Sequence, residues 1–281
     1  MKSNKNFTIL LPIIIFLGLF ISCSPKNENA ATPETKCFPD VTFSGINDDV
    51  LLGAKIDSQI VASSAEFPLL DPSRYTKAYG HLERITNNIK NSGKIAYIDQ
   101  LAWKVRIIKN DEVLNAFCTP GGYIYVYTGI IKYLDSEDDF AGVMGHEIAH
   151  ADLRHSAKSM TQEYGVSTLL QIISGKNPSM LATIVTNLSK LKYSRCHETQ
   201  ADENSVGYLS ATSYKCNGAA GFFQKISAAG GSSTPEFLST HPDPGNRVEN
   251  INNRAKNLGC NTSSSNPTAQ YEDFKRSLDL L

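Results

Sequence analysis

No part of this chain gathers lysine or arginine into a cluster, and the totals almost cancel: 27 basic against 28 acidic residues leave a net charge of −1. The electrostatic footprint of a nucleic-acid partner is missing, so none is expected, and charge says little about other partners. No two cysteines stand as C-x-x-C, which removes the cysteine-rich kind of structural zinc site. No apolar run reaches the roughly 18 residues that a membrane-spanning helix needs. The composition is otherwise that of an ordinary globular protein, 41% hydrophobic and 20% charged, long enough for one large core or two small ones.

What is present begins at the N-terminus. Lys2 and Lys5 precede an apolar run from Phe7 to Ile21, the length of a secretory h-region. It ends in Leu19-Phe20-Ile21-Ser22-Cys23, which is similar to a bacterial lipoprotein signal, with Phe20 where leucine is usual. The expectation is a signal peptide over residues 1–22 and a lipidated Cys23 that anchors the protein to a membrane of the bacterial cell envelope, facing the periplasm. Residues 23–45, rich in Asn, Pro, Thr, Lys and Glu, read as a flexible tether. Beyond Cys23 the cysteines are Cys37, Cys118, Cys196, Cys216 and Cys260, an odd number that leaves at least one thiol over and the pairing open.

Residues 46–260 read as one domain and 261–281 as a tail in which Tyr271, Phe274, Leu278 and Leu281 are spaced as a short amphipathic helix. The domain opens with a helix over 48–64 that would bury Leu51, Ala54 and Val61. A second follows Asp71-Pro72, with Tyr75, Tyr79, Leu82, Ile85 and Ile89 at helical spacing. Trp103, Val105 and Ile107 alternate with Lys104 and Arg106, as in a half-buried strand. Residues 113–118 and 123–127 form a hairpin, because Pro120-Gly121 suits the centre of a type II turn. A short helix over 130–134 leads on, and after His150 the pattern stays helical to about residue 173, breaks at 175–178, and resumes to about 191.

The chemistry sits at His146-Glu147-Ile148-Ala149-His150. Residues four apart share one face of a helix, so both imidazoles can reach one metal ion, and Glu147 is rotated toward a water beside it. Zinc lowers the pKa of such a water and the carboxylate takes its proton. Ser136 and Asp139 read as the capping box of this helix, while Phe140, Val143, Met144 and Ile148 supply an apolar face. Two histidines do not complete a catalytic site. A nearby third one, in the pattern H-E-x-x-H-x-x-G-x-x-H, is ruled out by Leu153 and Ser156, and His155 is one position off, which suits a salt bridge or a place behind the ligands better than ligation. The better candidate is Glu198, with Asp202 four residues on to fix the tautomer of a ligand imidazole.

His146-Glu-Ile-Ala-His150 followed by the E-x-x-A-D of Glu198 to Asp202 resembles the HtpX, Oma and Ste-type family of zinc metallopeptidases, gluzincins, most of all its stand-alone bacterial envelope lipoproteins. Asn115-Ala116-Phe117-Cys118-Thr-Pro-Gly-Gly122 and Ser239-Thr-His241-Pro, with Arg247 further on, are similar to two further blocks of that family. The resemblance covers roughly residues 48–255. It implies an α+β, mostly helical zincin-like domain with a small three-stranded sheet beside the H-E-x-x-H helix. It implies one zinc on His146, His150 and Glu198, Glu147 as general base, and Asp202 and Arg247 behind the ligands. His241 would stabilise the oxyanion or take the fourth position in a latent state. Asn115, Ala116, Phe117 and Cys118 would bind substrate. The implied activity is endopeptidase quality control of unfolded or mis-assembled envelope proteins. A non-catalytic holdase using the same cleft is the alternative, although it has no use for Glu147.

Overall fold

The computed structural model describes residue 37 and residues 42–43, 45–229, 236–243, 245–263 and 266–279. The expected signal peptide, Cys23, most of the tether and Leu281 lie outside the described residues. The elements in chain order are α1 (Ile46–Ala62), α2 (Thr76–Lys90), β1 (Lys104–Ile108), β2 (Ala116–Thr119), β3 (Tyr123–Tyr127), α3 (Thr128–Tyr133), α4 (Glu137–Asp152) and α5 (His155–Tyr164). They continue with α6 (Val166–Ile173), α7 (Pro178–Thr186), a 3-10 turn (Leu188–Lys190), α8 (Arg195–Leu209), α9 (Gly218–Ala229), α10 (Glu236–Thr240), α11 (Arg247–Leu258) and α12 (Thr268–Arg276). The fold is α+β and mostly helical, with one three-stranded sheet. Among the described residues no helix is long and apolar enough to cross a membrane.

Helix α4 is the axis of the domain. Ser136 caps it by accepting from the Asp139 N–H, and Glu137, Asp138 and Asp139 sit in the first turn, where the helix dipole favours negative charge. The sequence pattern suggests one apolar face, but α4 is buried almost all round. Its glycines make this possible. A Cβ on Gly142 would lie 2.0 Å from the Ala219 nitrogen of α9, and one on Gly145 would lie 2.6 Å from the Ser205 hydroxyl of α8. Helix α9 thus meets α4 backbone to backbone and α8 meets it through Ser205, and α8 brings Glu198 and Asp202 with it.

In the sheet the order is β1-β3-β2: β1 runs parallel to β3, and β2 pairs antiparallel with it in the register Phe117 to Tyr125. The connection is the expected hairpin, turned at Gly121 and Gly122, whose φ angles of 82° and 83° favour glycine. Strand β2 is therefore an edge, and it lies against α4 with every residue buried. Trp103 falls outside β1 with φ 46°, and Ile107 and Ile108 are both buried, so the expected alternation holds only in part.

Helix α1 buries the opposite face from the one expected. Leu51 and Val61 are 51% and 49% exposed and Ala54 is exposed too, whereas Asp49, Leu52, Ile56, Asp57 and Ile60 point inward. The inversion comes from paired charges: Asp57 accepts from Arg106, Lys104 and the Tyr125 hydroxyl, and Asp49 from Arg154. Burial alone would push the Asp57 carboxyl up; those hydrogen bonds outweigh it and hold it below the usual range. The long helix expected after His150 is likewise broken twice, at Arg154 (φ 59°), where the pair with Asp49 forms, and at Gly165 (φ 78°).

Cys37 is bonded to Cys196 and Cys216 to Cys260, leaving Cys118 as a buried thiol. Helix α12 returns to the core with Tyr271, Phe274 and Leu278 fully buried and the Tyr271 hydroxyl donating to the Ile131 carbonyl.

Candidate metal centre

His146 and His150 stack along one face of α4, and α8 presents Glu198 to them because Ser194 caps its first turn and the helix starts three residues earlier. The His146 and His150 Nε2 atoms are 2.9 Å apart, and the Glu198 carboxylate lies 3.3 Å from each. A fourth side chain joins them. His241, just past the end of α10, places its Nδ1 3.3 Å from His146 Nε2 and 3.1 Å from Glu198 Oε1. One donor atom from each of the four lies within 4.8 Å of all the others. Four-coordinate zinc with bonds of about 2.0–2.1 Å keeps its donors about 3.3 Å apart, so the set present fits such an ion.

Behind the donors the charges are organised. Asp202, one turn beyond Glu198, accepts from His146 Nδ1 at 3.0 Å, so the ring, once neutral, carries its lone pair on Nε2. Arg247 grips the Asp202 carboxylate with two nitrogens, at 2.6 and 2.9 Å, and reaches Glu198 at 2.8 Å, its guanidinium lying 3.9 Å over the Phe223 ring. Burial and the Arg247 charge oppose protonation of His146, but the Asp202 and Glu198 carboxylates outweigh them and hold its pKa up at about 9. Glu198 is buried too, yet the charges of His241 and Arg247 and the flanking imidazoles keep it well below the usual carboxylate range. His150 goes the other way, pushed down by burial and by the His146 charge.

Glu147 stands apart. It is fully buried, neither carboxylate oxygen makes a hydrogen bond among the described residues, and the His241 Nε2 lies 3.5 Å from it. Burial pushes its carboxyl up. Asn115 is similar: both polar atoms of its side chain are buried and unpartnered. Buried polar groups without partners are rare enough that each calls for a reason.

The edge of β2 faces this cluster, and its outward carbonyls are all engaged. Leu114 accepts from the Phe237 N–H at 3.1 Å, Ala116 from His241 Nε2 at 3.3 Å, and Cys118 from Ser156 Oγ at 2.9 Å and the Tyr193 hydroxyl at 3.3 Å. Phe237 also stacks flat on His241, with centroids 4.1 Å apart. Of the substrate-binding candidates, Ala116 and Cys118 thus meet closing residues at their carbonyls, and Phe117 turns away to stack on Tyr125 at 4.9 Å. The Cys118 thiol, pushed up to about 12 by burial and the Glu147 charge, is inert.

The sequence reading passed over Tyr193, Ser156, Phe237 and Gln200. Tyr193 stands five residues before Glu198, a spacing that no ligand rule marks, and Ser156 entered only as the absence of a histidine. His155 is outside the donor set and supports His150 from behind.

Residues 78–255 match the family model described as peptidase family M48. The chain belongs to that family. Membership places this M48 domain among the zinc metalloendopeptidases. The mitochondrial metalloendopeptidase OMA1 of Arabidopsis thaliana is 31% identical over 148 residues, 52% of this chain and 30% of that protein. The beta-barrel assembly-enhancing protease of Escherichia coli (strain K12) is 28% identical over 167 residues, 54% of this chain and 34% of that one. The metalloprotease YcaL of Escherichia coli (strain K12) is 25% identical over 266 residues, 89% and 98% of the two chains. The chain therefore spans about a third of the length of the first two and nearly all of the third.

Proposed function

We propose that this M48 protein is a zinc-dependent endopeptidase acting on unfolded or mis-assembled proteins of the bacterial envelope, exported and held at a membrane through Cys23. The observation that carries the catalytic reading is Glu147: a buried carboxylate with no hydrogen bond, beside four metal-competent donors at tetrahedral spacing. A buried carboxylate is costly to keep without a partner, and a role in proton transfer accounts for it here.

His146, His150 and Glu198 would hold the zinc. When bound, the ion supplies Lewis acidity at the scissile carbonyl and makes a water nucleophilic at neutral pH. Glu147 takes the proton of the attacking water, for which its raised pKa suits it, and returns that proton to the departing amine. Asp202 and Arg247 keep His146 in the required tautomer and neutralise charge around Glu198. The substrate lies in extended form along β2, where the outward groups of Ala116 and Cys118 pair with its backbone and Asn115 supplies a side-chain donor and acceptor.

The conformation described is the resting one. Every donor is buried, and the carbonyls that a substrate strand would use are taken by Phe237, His241, Ser156 and Tyr193. Of the two roles open to His241, its place in the donor set favours the fourth position of a latent site. Opening requires α10 to withdraw, and an unfolded chain is a substrate able to compete for a strand edge.

The test is metal analysis of the purified full chain together with digestion of an unfolded protein with and without chelator. One zinc per chain and chelator-sensitive cleavage are expected. Binding of unfolded protein without any cleavage, at any metal content, would leave the holdase reading instead.

A further inference from the structure

The two ligand imidazoles of α4 are supported by different chemistry. His146 rests on a carboxylate, Asp202, itself clamped by Arg247. His150 rests on another imidazole. Its Nδ1 lies 2.9 Å from the Nδ1 of His155, which is buried, and the His155 Nε2 lies 2.9 Å from the amide oxygen of Gln200 on α8. The His155 ring is held in place by stacking on His197, with centroids 4.3 Å apart and planes within 14°.

This contact depends on the break in the helix. In a continuous helix, a residue five positions on would point about 140° away from His150. The left-handed turn at Arg154, fixed by its pair with Asp49, starts α5 on a new axis and brings His155 round to the back of His150.

Proton direction along the chain of contacts follows from the groups themselves. Two nitrogens 2.9 Å apart share one proton, so one donates and the other accepts. An amide oxygen can only accept. With Gln200 Oε1 facing it, His155 carries its proton on Nε2, and its Nδ1 is a lone pair. The proton between the rings then belongs to His150 Nδ1, and the free lone pair of His150 is on Nε2, the atom that lies 2.9 Å from His146 Nε2 and 3.3 Å from Glu198. The reverse direction would put a proton on His150 Nε2 and leave it nothing to offer a cation.

We propose that His155 and Gln200 are positioning residues, a neutral relay that holds His150 in the tautomer able to bind the metal. A neutral acceptor suits this side of the cluster. Glu198 and Asp202 already contact the ligand rings with Glu147 buried beside them, and another carboxylate behind His150 would add an unpaired charge where water cannot screen it. The relay gives the direction of a hydrogen bond without adding that charge.

The inference rests on the metal-centre reading only for the purpose of the tautomer, not for its existence, and the test separates the two. Ring-nitrogen spectra of the metal-free full-length protein should show His150 protonated at Nδ1 and His155 at Nε2; a proton on His150 Nε2 would overturn the relay whatever the protein binds. Zinc affinity, measured by competition with a chromophoric chelator, should fall about 10–100-fold in His155→Phe and Gln200→Leu, with circular dichroism unchanged. In His155→Gln, whose amide oxygen can accept, part of the loss should be recovered. Wild-type affinity in His155→Phe and Gln200→Leu would sink the proposal. If His155→Phe does not fold, Gln200→Leu and the wild-type spectra still decide it. A wild-type protein that takes up no zinc would refute the metallopeptidase reading while leaving the tautomer measurement intact.

Discussion

The ring of Tyr193 lies flat on the imidazole of His150, centroids 3.8 Å apart and planes 21° from parallel. Its hydroxyl reaches past that ring to the Cys118 carbonyl and shares a 2.9 Å hydrogen bond with Ser156. One side chain thus covers a candidate ligand and ties down the strand edge beside it. Removing the hydroxyl in Tyr193→Phe keeps the stacking and takes away one of the two hydrogen bonds on the Cys118 carbonyl, the other coming from Ser156. A neutral hydrogen bond contributes about 1 kcal/mol, which is about fivefold in the population of an open form. Initial rates on an unfolded substrate should rise about fivefold at unchanged zinc content.

Glu147→Gln separates catalysis from metal retention. The donor set is untouched, so the zinc measured by elemental analysis should stay the same while cleavage falls by about 10² to 10⁴. The variant should also be more stable. A buried carboxylate with a raised pKa penalises the folded state once the pH exceeds the unfolded value, and a neutral amide avoids that penalty. A gain of about 1 kcal/mol corresponds to about 2–4 °C in Tm for a domain of this size.

Zinc uptake should release protons. In the metal-free protein the His146 pKa stands at about 9, so near pH 7 this ring is charged and must deprotonate to bind. Calorimetry in buffers of different ionisation enthalpy should show about one proton released from this ring per zinc at pH 7, and none above about pH 10. The same shift makes the stability of the metal-free form depend on pH. The folded pKa is raised, so the contribution is complete below about 6.5 and disappears as the pH rises through about 9. Thermal melts of chelated protein should therefore drop across that interval, and excess zinc should lift Tm at every pH within it.

Asp57 governs the opposite end of the scale. Its carboxyl is held down by Arg106, Lys104 and Tyr125, so its contribution is present above the unfolded value of 3.8 and is lost as the pH falls through the lower folded one. Asp57→Asn strands the charge of Arg106 beside α1 and should cost about 3 kcal/mol at pH 7. As the pH falls through that lower folded value the two proteins should converge in denaturant melts, because the wild type then loses the same charge.

What could be read along the chain was what helical spacing encodes locally. His146, Glu147 and His150 share a helix, as do Glu198 and Asp202, and the structure brings the two sets together. The turn at Pro120 and Gly121 is equally local. His241 and Arg247 have no such spacing and came into view only through resemblance to a family. The errors have one physical origin. Asp49 and Asp57 occupy the inward face of α1 because partners more than 45 residues away neutralise them, and no hydrophobic pattern can register that. Arg154 breaks its helix for the same reason. Tyr193 was invisible because its importance lies in what it covers, not in a bond it could make to a metal.

The bridge from Cys37 to Cys196 spans 159 residues and ends two positions before Glu198. The ring cannot close until synthesis has delivered everything from α1 to the start of α8, so the earliest part of the domain must wait for one of the later ones. The bridge thus pins the stretch just before α1 to the start of the helix carrying Glu198, and any chain retained in a reducing compartment would go without it.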